Sequence, residues 1–175
     1  MVKYYTGIGS RKCPESFKDG MARIASFLED SGYILRSGAA VGADSYFESG
    51  VKNPANKEIY IPWKNFNGSD STRDLLPYKA VEIAMKFHPA WGRLTNNAKK
   101  LMARNTMQVL GEDCNTPSSF VLCWTPNGKE IGGTSQALRI AKHYNIPIIN
   151  WGTVEEPNLL LEQEYLFLQK HRRGL

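Results

Sequence analysis

The sequence predicts an α/β domain built on an open parallel sheet of about five strands, with helices on both faces. Two observations carry that reading. Short β-rich apolar runs alternate along the chain with stretches in which apolar residues recur at helical spacing, the pattern of repeated strand–helix–strand crossovers. Three of the junctions are rich in glycine: Gly7-Ile8-Gly9-Ser10-Arg11, Ser37-Gly38-Ala39-Ala40-Val41-Gly42-Ala43-Asp44 and Gly132-Gly133-Thr134-Ser135. With 175 residues and 42% hydrophobic content, the chain can bury its core as a single domain over 1–175.

The first strand is expected over 3–8, ending in a glycine turn at Gly9. Pro14 suits the first turn of the helix that follows, along which Phe17, Met21, Ile24, Ala25 and Leu28 share one face. Gly32 stops that helix, and 33–36 reads as a short buried strand. A second helix over 43–51 leaves the second glycine-rich loop, and a third strand over 58–61 is closed by Pro62. Residues 63–95 break the alternation, being polar and turn-rich with Pro77 and Pro89 and one short helix over 78–87. They read as a lid-like insertion over the ligand pocket.

Next comes an amphipathic helix over 96–110, with Ala98, Leu101, Met102, Thr106, Val109 and Leu110 on one side, Lys99, Lys100 and Arg104 elsewhere, and Gly111 at its end. A fourth strand over 119–124 runs into Thr125-Pro126-Asn127-Gly128. Ala137, Leu138, Ile140 and Ala141 then line a helix that Asn145 caps before a fifth strand over 146–150. A C-terminal amphipathic helix is expected over about 156–171. The whole is a Rossmann-like arrangement, in which ligands bind beyond the carboxyl ends of the strands. All three glycine-rich loops should meet there.

Charge narrows the ligand. The chain has 22 Lys and Arg against 17 Asp and Glu, a formal net charge of +5. That balance favours anionic partners, although the basic residues are scattered and form no polybasic run. No apolar stretch is long enough for a bilayer and the N-terminus carries no hydrophobic signal core, so no membrane partner and a cytoplasmic location are expected. Cys13, Cys114 and Cys123 are odd in number and lack ligand spacing. They read as reduced packing residues, with no disulfide framework, metal or cofactor expected.

The glycine-rich loops supply the chemistry. Gly7 and Gly9 let the backbone turn closely, and Ser10 and Arg11 add a hydroxyl and a guanidinium, which together suit a phosphate oxygen. Small residues at nearly every position from Ser37 through Gly38, Ala39 and Gly42 imply that something approaches the backbone. Asp44, opening the next helix, is read as a helix cap, a ribose acceptor or a group that holds the loop. Gly132, Gly133, Thr134 and Ser135 begin a helix, so their amides and hydroxyls can hold a second phosphate or a ribose. Trp63, Trp91 and Trp124 are candidate stacking platforms for a base, with Trp91 preferred and core or lid packing as the plainer alternative.

The ordered set Gly9-Ser10-Arg11, Ser37-Gly38-Ala39-Ala40-x-Gly42-x-Asp44 and Ala103-Arg104-Asn105 resembles the motifs of the DNA processing protein A (DprA/Smf) family. That family sits in the wider SLOG superfamily of Rossmann-like nucleotide and nucleic-acid binders, alongside the cytokinin-activating LOG enzymes. The block Phe120-Val121-Leu122-Cys123-Trp124-Thr125-Pro126, with Gly132-Gly133-Thr134 and Ala137 to Ala141, is similar to small phage-encoded DprA-like proteins. The resemblance covers about residues 4–150 and implies a SLOG-type fold. By it Arg104 would pair a phosphate and Asn105 would order a loop. DprA proteins usually carry a further helical or winged-helix domain, for which this chain leaves no room. LOG phosphoribohydrolases read P-G-G-x-G-T-x-x-E, and aligning Thr134 with that threonine puts Ala137 where the glutamate belongs.

Three functions follow as expectations. The first is a binding protein for a nucleoside phosphate or nucleotide-derived signal, which it senses or sequesters without a catalytic residue. The second is DprA-like binding of single-stranded DNA in DNA processing, by the same phosphate cradles. The third is a nucleoside 5'-monophosphate N-glycosidase using Glu130, Asp44 or Glu48 as the acid, which the missing LOG glutamate disfavours. Homo-oligomerisation is expected by the same resemblance.

Overall fold

The computed structural model of the chain describes residues 1–154 and 169–170. Among them, strands β1 (Lys3–Gly9), β2 (Tyr33–Ser37), β3 (Lys57–Ile59), β4 (Val121–Trp124) and β5 (Ile148–Asn150) form one sheet in the order β3-β2-β1-β4-β5. Every neighbouring pair is parallel. The chain winds outward from β1 to β3, then returns to the other side of β1 to lay down β4 and β5. The direction of winding therefore reverses between β1 and β4, the place where a doubly wound sheet opens a crevice.

Helices α1 (Lys18–Asp30) and α2 (Ala43–Ser49) cover one face of the sheet; α3 (Tyr78–Phe87), α4 (Asn96–Leu110) and α5 (Thr134–His143) cover the other. Strand side chains alternate between these faces with the period of two that a pleated strand imposes. Tyr5, Leu35 and Leu122 join Met21, Ile24, Leu28 and Phe47 in one core, while Ile8, Val121 and Cys123 join Met107, Leu110, Leu138 and Ile140 in the other. The expected elements are present with small shifts of boundary. A 3-10 turn over Glu15–Phe17 precedes α1, and β4 and β5 start two residues later than expected. Asn145 ends α5 with φ of 55°, and Ile146 N–H closes back onto the Ala141 carbonyl at 2.9 Å. Cys13, Cys114 and Cys123 are free and buried, and burial pushes the Cys13 and Cys123 thiols up to about 12.

One expectation changes. From Met102 to Leu110 every residue of α4 is buried, Arg104, Asn105 and Gln108 included, so the amphipathic pattern describes only its first turns. The cause is position: α4 packs between α3 and α5 and also touches β1 and β2. Residues 63–95, expected as a lid-like insertion, pack beyond β3 and along α4. Phe66, with Trp63, packs on Ile59 and Ile61 against Leu101, and α3 packs along α4. The helix expected over 156–171 lies outside the described residues apart from Gln169 and Lys170, which are helical. None of the helices among the described residues is long and apolar enough to cross a membrane.

The two helices on the first face meet at Gly50. A Cβ there would stand 2.1 Å from the Ala22 carbonyl oxygen of α1, a backbone atom that cannot step aside. Gly50→Ala should therefore lower stability by roughly 1–3 kcal/mol in chemical denaturation, as overpacking does. An unchanged denaturation midpoint would refute the close α1–α2 approach.

Candidate functional site

A cavity of about 400 Å³ opens at the carboxyl ends of β1 and β4. Three separate stretches of chain line it from the sheet side: Ile8 to Lys12 at the end of β1 and the turn after it, Ala40 before α2 with Asp44 in its first turn, and Ile131 to Thr134 between β4 and the start of α5. Leu101, Met102, Arg104, Asn105 and Gln108 of α4 line the remainder. The loops converge where the sheet topology reverses, as expected from their glycine content.

Asp44 joins them from beneath. One carboxylate oxygen accepts the Gly9 N–H at 3.0 Å, and the other faces Gln108 Nε2 at 3.4 Å and Arg104 Nη1 at 3.9 Å. The amides of Ala40 and Gly38 add further hydrogen bonds to it. Of the roles read from the sequence, holding the loops is the one these contacts describe; α2 has no side-chain cap. Burial pushes the Asp44 carboxyl up to about 6, and Arg104 and the backbone amides offset only part of that. The reason is geometric. Arg104 Nη1 donates at 2.5 Å to the Gly38 carbonyl, leaving the carboxylate beyond direct hydrogen-bond reach.

Arg104, which by the motif resemblance would pair a phosphate, lines the cavity from a buried position. It is only 6% exposed, its guanidinium lies 5.6 Å from the Phe66 ring, and its buried Nε has no hydrogen-bond partner among the described residues. The second glycine-rich loop changes with it. A Cβ on Gly38 would fall 1.7 Å from Arg104 Nη1 and 2.3 Å from Gln108 Nε2, so protein side chains occupy the space that the small residues leave. Ser37 is fully buried and donates to the Gly7 carbonyl at 2.7 Å, and the Ala39 carbonyl accepts from Asn67 at 3.0 Å. Gly42, at φ of 83°, is needed because any side chain there would strike the Ser10 carbonyl at 2.6 Å. Gly7 likewise faces the Phe47 ring of the core. Ser37, Gly38, Ala39, Gly42 and Gly7 therefore lie outside the cavity lining and shape it indirectly.

The other two loops present groups to the cavity. Ser10 Oγ accepts the Lys12 N–H at 3.1 Å, tightening the turn. Arg11 and Lys12 are exposed, and neither forms an ion pair among the described residues. Asn105 donates to the Gly133 carbonyl at 2.9 Å and so orders the third loop, the role the motif resemblance implied. Ser135 is buried; its hydroxyl donates to the Gly132 carbonyl at 2.6 Å and accepts from Arg139 at 3.1 Å, so it supports the loop from outside the lining. Gly133 and Thr134 line the cavity where α5 begins. First-turn N–H groups of a helix have no intrahelical acceptor and sit at its positive end.

None of the three candidate tryptophans lines the cavity. Trp91 packs against Met102 and Ala103, Trp63 against Phe66, and Trp124 is buried beside Phe17. Their apolar area is used on the protein itself. Of the candidate acids, Glu130 pairs with Lys142, Glu48 pairs with Lys57 at 3.0 Å, and only Asp44 reaches the cavity. Lys12, Leu101, Met102, Gln108 and Ile131 line it without having been singled out as site residues in the sequence. Gln108 was within reach of a spacing argument, standing one helical turn from Arg104. An isoleucine in a loop carries no such signal.

No family model matches this sequence, and no curated protein matches it. Among solved structures, the chain is similar to DNA processing protein A from Helicobacter pylori, whose structure was described for its single-stranded DNA binding mode. The two share 18% identity with a TM-score of 0.60, over 99% of this chain and 81% of that one. At that identity the likeness is one of fold, and the fold is the parallel α/β arrangement described above.

The Asp44 environment has a measurable consequence. Its folded value of about 6 lies above the ordinary 3.8, so between those values the folded protein binds more protons than the unfolded chain, and stability falls as pH rises. The loss attributable to Asp44 should approach roughly 3 kcal/mol. Denaturation curves across that window, for the parent and for Asp44→Asn, should differ by this downward slope, because the amide cannot ionise. Parallel pH profiles would disprove the assignment.

Proposed function

We propose that this chain binds single-stranded DNA, seating backbone phosphates in the cavity between β1 and β4. The observation that carries the reading is a division of charge. At the cavity floor the buried cation Arg104 faces the Asp44 carboxylate, whereas at its rim Arg11 and Lys12 are exposed and lack an anion among the described residues. A phosphate placed there takes charge-assisted hydrogen bonds from Arg11 and Lys12. The Thr134 amide and hydroxyl at the start of α5 add neutral donors with a favourable dipole behind them, the Ser135 and Gln136 amides being used on the Gly132 and Gly133 carbonyls. The net charge of +5 and the fold likeness to a single-stranded-DNA binder support the same reading.

One observation favours a second reading, a free nucleotide. A cavity of about 400 Å³ is within the size range of small-ligand pockets and is lined by four stretches of chain. Chain length and salt separate the two. A strand displaces condensed counterions, so its affinity falls steeply with salt and rises with length, whereas a pocketed nucleotide shows neither trend.

Fluorescence anisotropy with oligothymidylate should therefore give binding that weakens between about 50 and 200 mM salt. The Arg11→Ala, Lys12→Ala double variant should bind more weakly and reduce the log–log salt slope by about 0.7, the share of the one phosphate that the two side chains hold on a single strand. Gly133→Leu is a complementary probe. The nearest atom to a Cβ at Gly133 is Met102 Cε at 3.8 Å, so the fold accepts a side chain that the ligand site does not. It should keep the thermal midpoint and lose binding. Thymidine monophosphate binding as tightly as the oligonucleotide, without a salt slope, would favour the second reading.

A further inference from the structure

The cavity has an apolar side that phosphate contacts do not explain. Ile131 lines it yet is 52% exposed, and it belongs to none of the hydrophobic clusters among the described residues. Its loop is held locally, through the Ile131 N–H to the Lys129 carbonyl at 3.0 Å, and by the Asn105 bond to Gly133. Leu101 and Met102 present aliphatic surface to the same cavity from α4, and Met102 Cε reaches to within van der Waals range of the Gly133 position. An aliphatic side chain left half in water at the mouth of a cationic cleft gains stability only when something apolar covers it.

We propose that Ile131, with Leu101 and Met102, forms an aliphatic slot that takes one nucleobase of the bound strand. The inference rests on the single-stranded DNA reading. Charge places the occupant: a phosphate held by Arg11, Lys12 and the start of α5 delivers its own base one sugar away, along the same loop that carries Ile131. Ile131 and Leu101 offer no hydrogen-bond donor or acceptor, and the Met102 thioether offers only a weak acceptor. The slot therefore senses that a base is present and leaves its identity unread, which suits a protein that takes strands of any sequence. It also replaces the aromatic platforms expected from the tryptophans, since those rings are packed elsewhere.

The test compares two strands of equal length, oligothymidylate and a fully abasic deoxyribose phosphate chain, which share phosphates and differ in bases. The parent protein should bind the thymidylate on the order of tenfold more tightly, the effect expected from burying one large aliphatic side chain. Ile131→Ala should bring the two affinities close to parity while leaving abasic binding and the thermal midpoint unchanged. Ile131→Leu should retain the preference. Equal affinity of the parent for both strands overturns the slot and leaves the phosphate reading intact, as does a preference that survives Ile131→Ala. A change of oligomeric state in Ile131→Ala, seen by size-exclusion chromatography, would assign the patch to a second copy of the chain and overturn the slot. Failure of the parent to bind either strand would remove the DNA reading and the slot together.

Discussion

The Asp44 carboxylate is the tie on which the cavity depends. It is 3% exposed and draws hydrogen bonds from the last residue of β1, from the loop after β2 and from the side chain of Gln108 on α4. These elements lie far apart in sequence, and the sheet by itself would only bring their ends into the same neighbourhood. A carboxylate with several lone pairs can bind several N–H groups at once, which makes it a compact cross-link between backbones. Arg104 completes the unit by gripping the Gly38 carbonyl from the same helix face. Two charges are thereby buried at considerable desolvation cost, which close hydrogen bonding partly offsets. Breaking one side of such a pair is far costlier than its net contribution would suggest.

That arrangement separates two uses of charge that are easily confused. The buried pair shapes the cavity and is neutral in sum, while the exposed Arg11 and Lys12 remain available to an incoming anion. Because buried groups are fixed and exposed ones hydrated, the same residue type serves opposite purposes around one cavity. Glycine divides in the same way. At Gly38 and Gly42 the protein itself fills the room made by the absent side chain, whereas at Gly133 little approaches and the space stays open.

The alternation of strands and helices was legible because burial leaves a periodic trace. Tyr5 and Ile8 fall on opposite faces of β1, and Met21, Ile24, Ala25 and Leu28 share one stripe of α1. Turn chemistry was equally readable, as at Asn145, whose short polar side chain tolerates the left-handed conformation. The limits appear at α4. A helix length surrounded by neighbours has no solvent face, so its polar residues, Arg104 among them, are not a guide to exposure. The tryptophans failed similarly, since a large ring serves a core as readily as a ligand.

What the sequence determined by itself was the α/β class, the positions of its elements and the three glycine-rich turns at the strand ends. These are local properties, encoded by periodicity and by residues that permit or forbid backbone conformations. Only the tertiary structure decided which of those turns face open space, that Asp44 and Arg104 look inward, and that Lys12, Gln108 and Ile131 complete the cavity. Those outcomes depend on which side chain arrives first at a shared volume. Atoms distant in sequence settle that question by exclusion, so no single stretch of chain contains the answer.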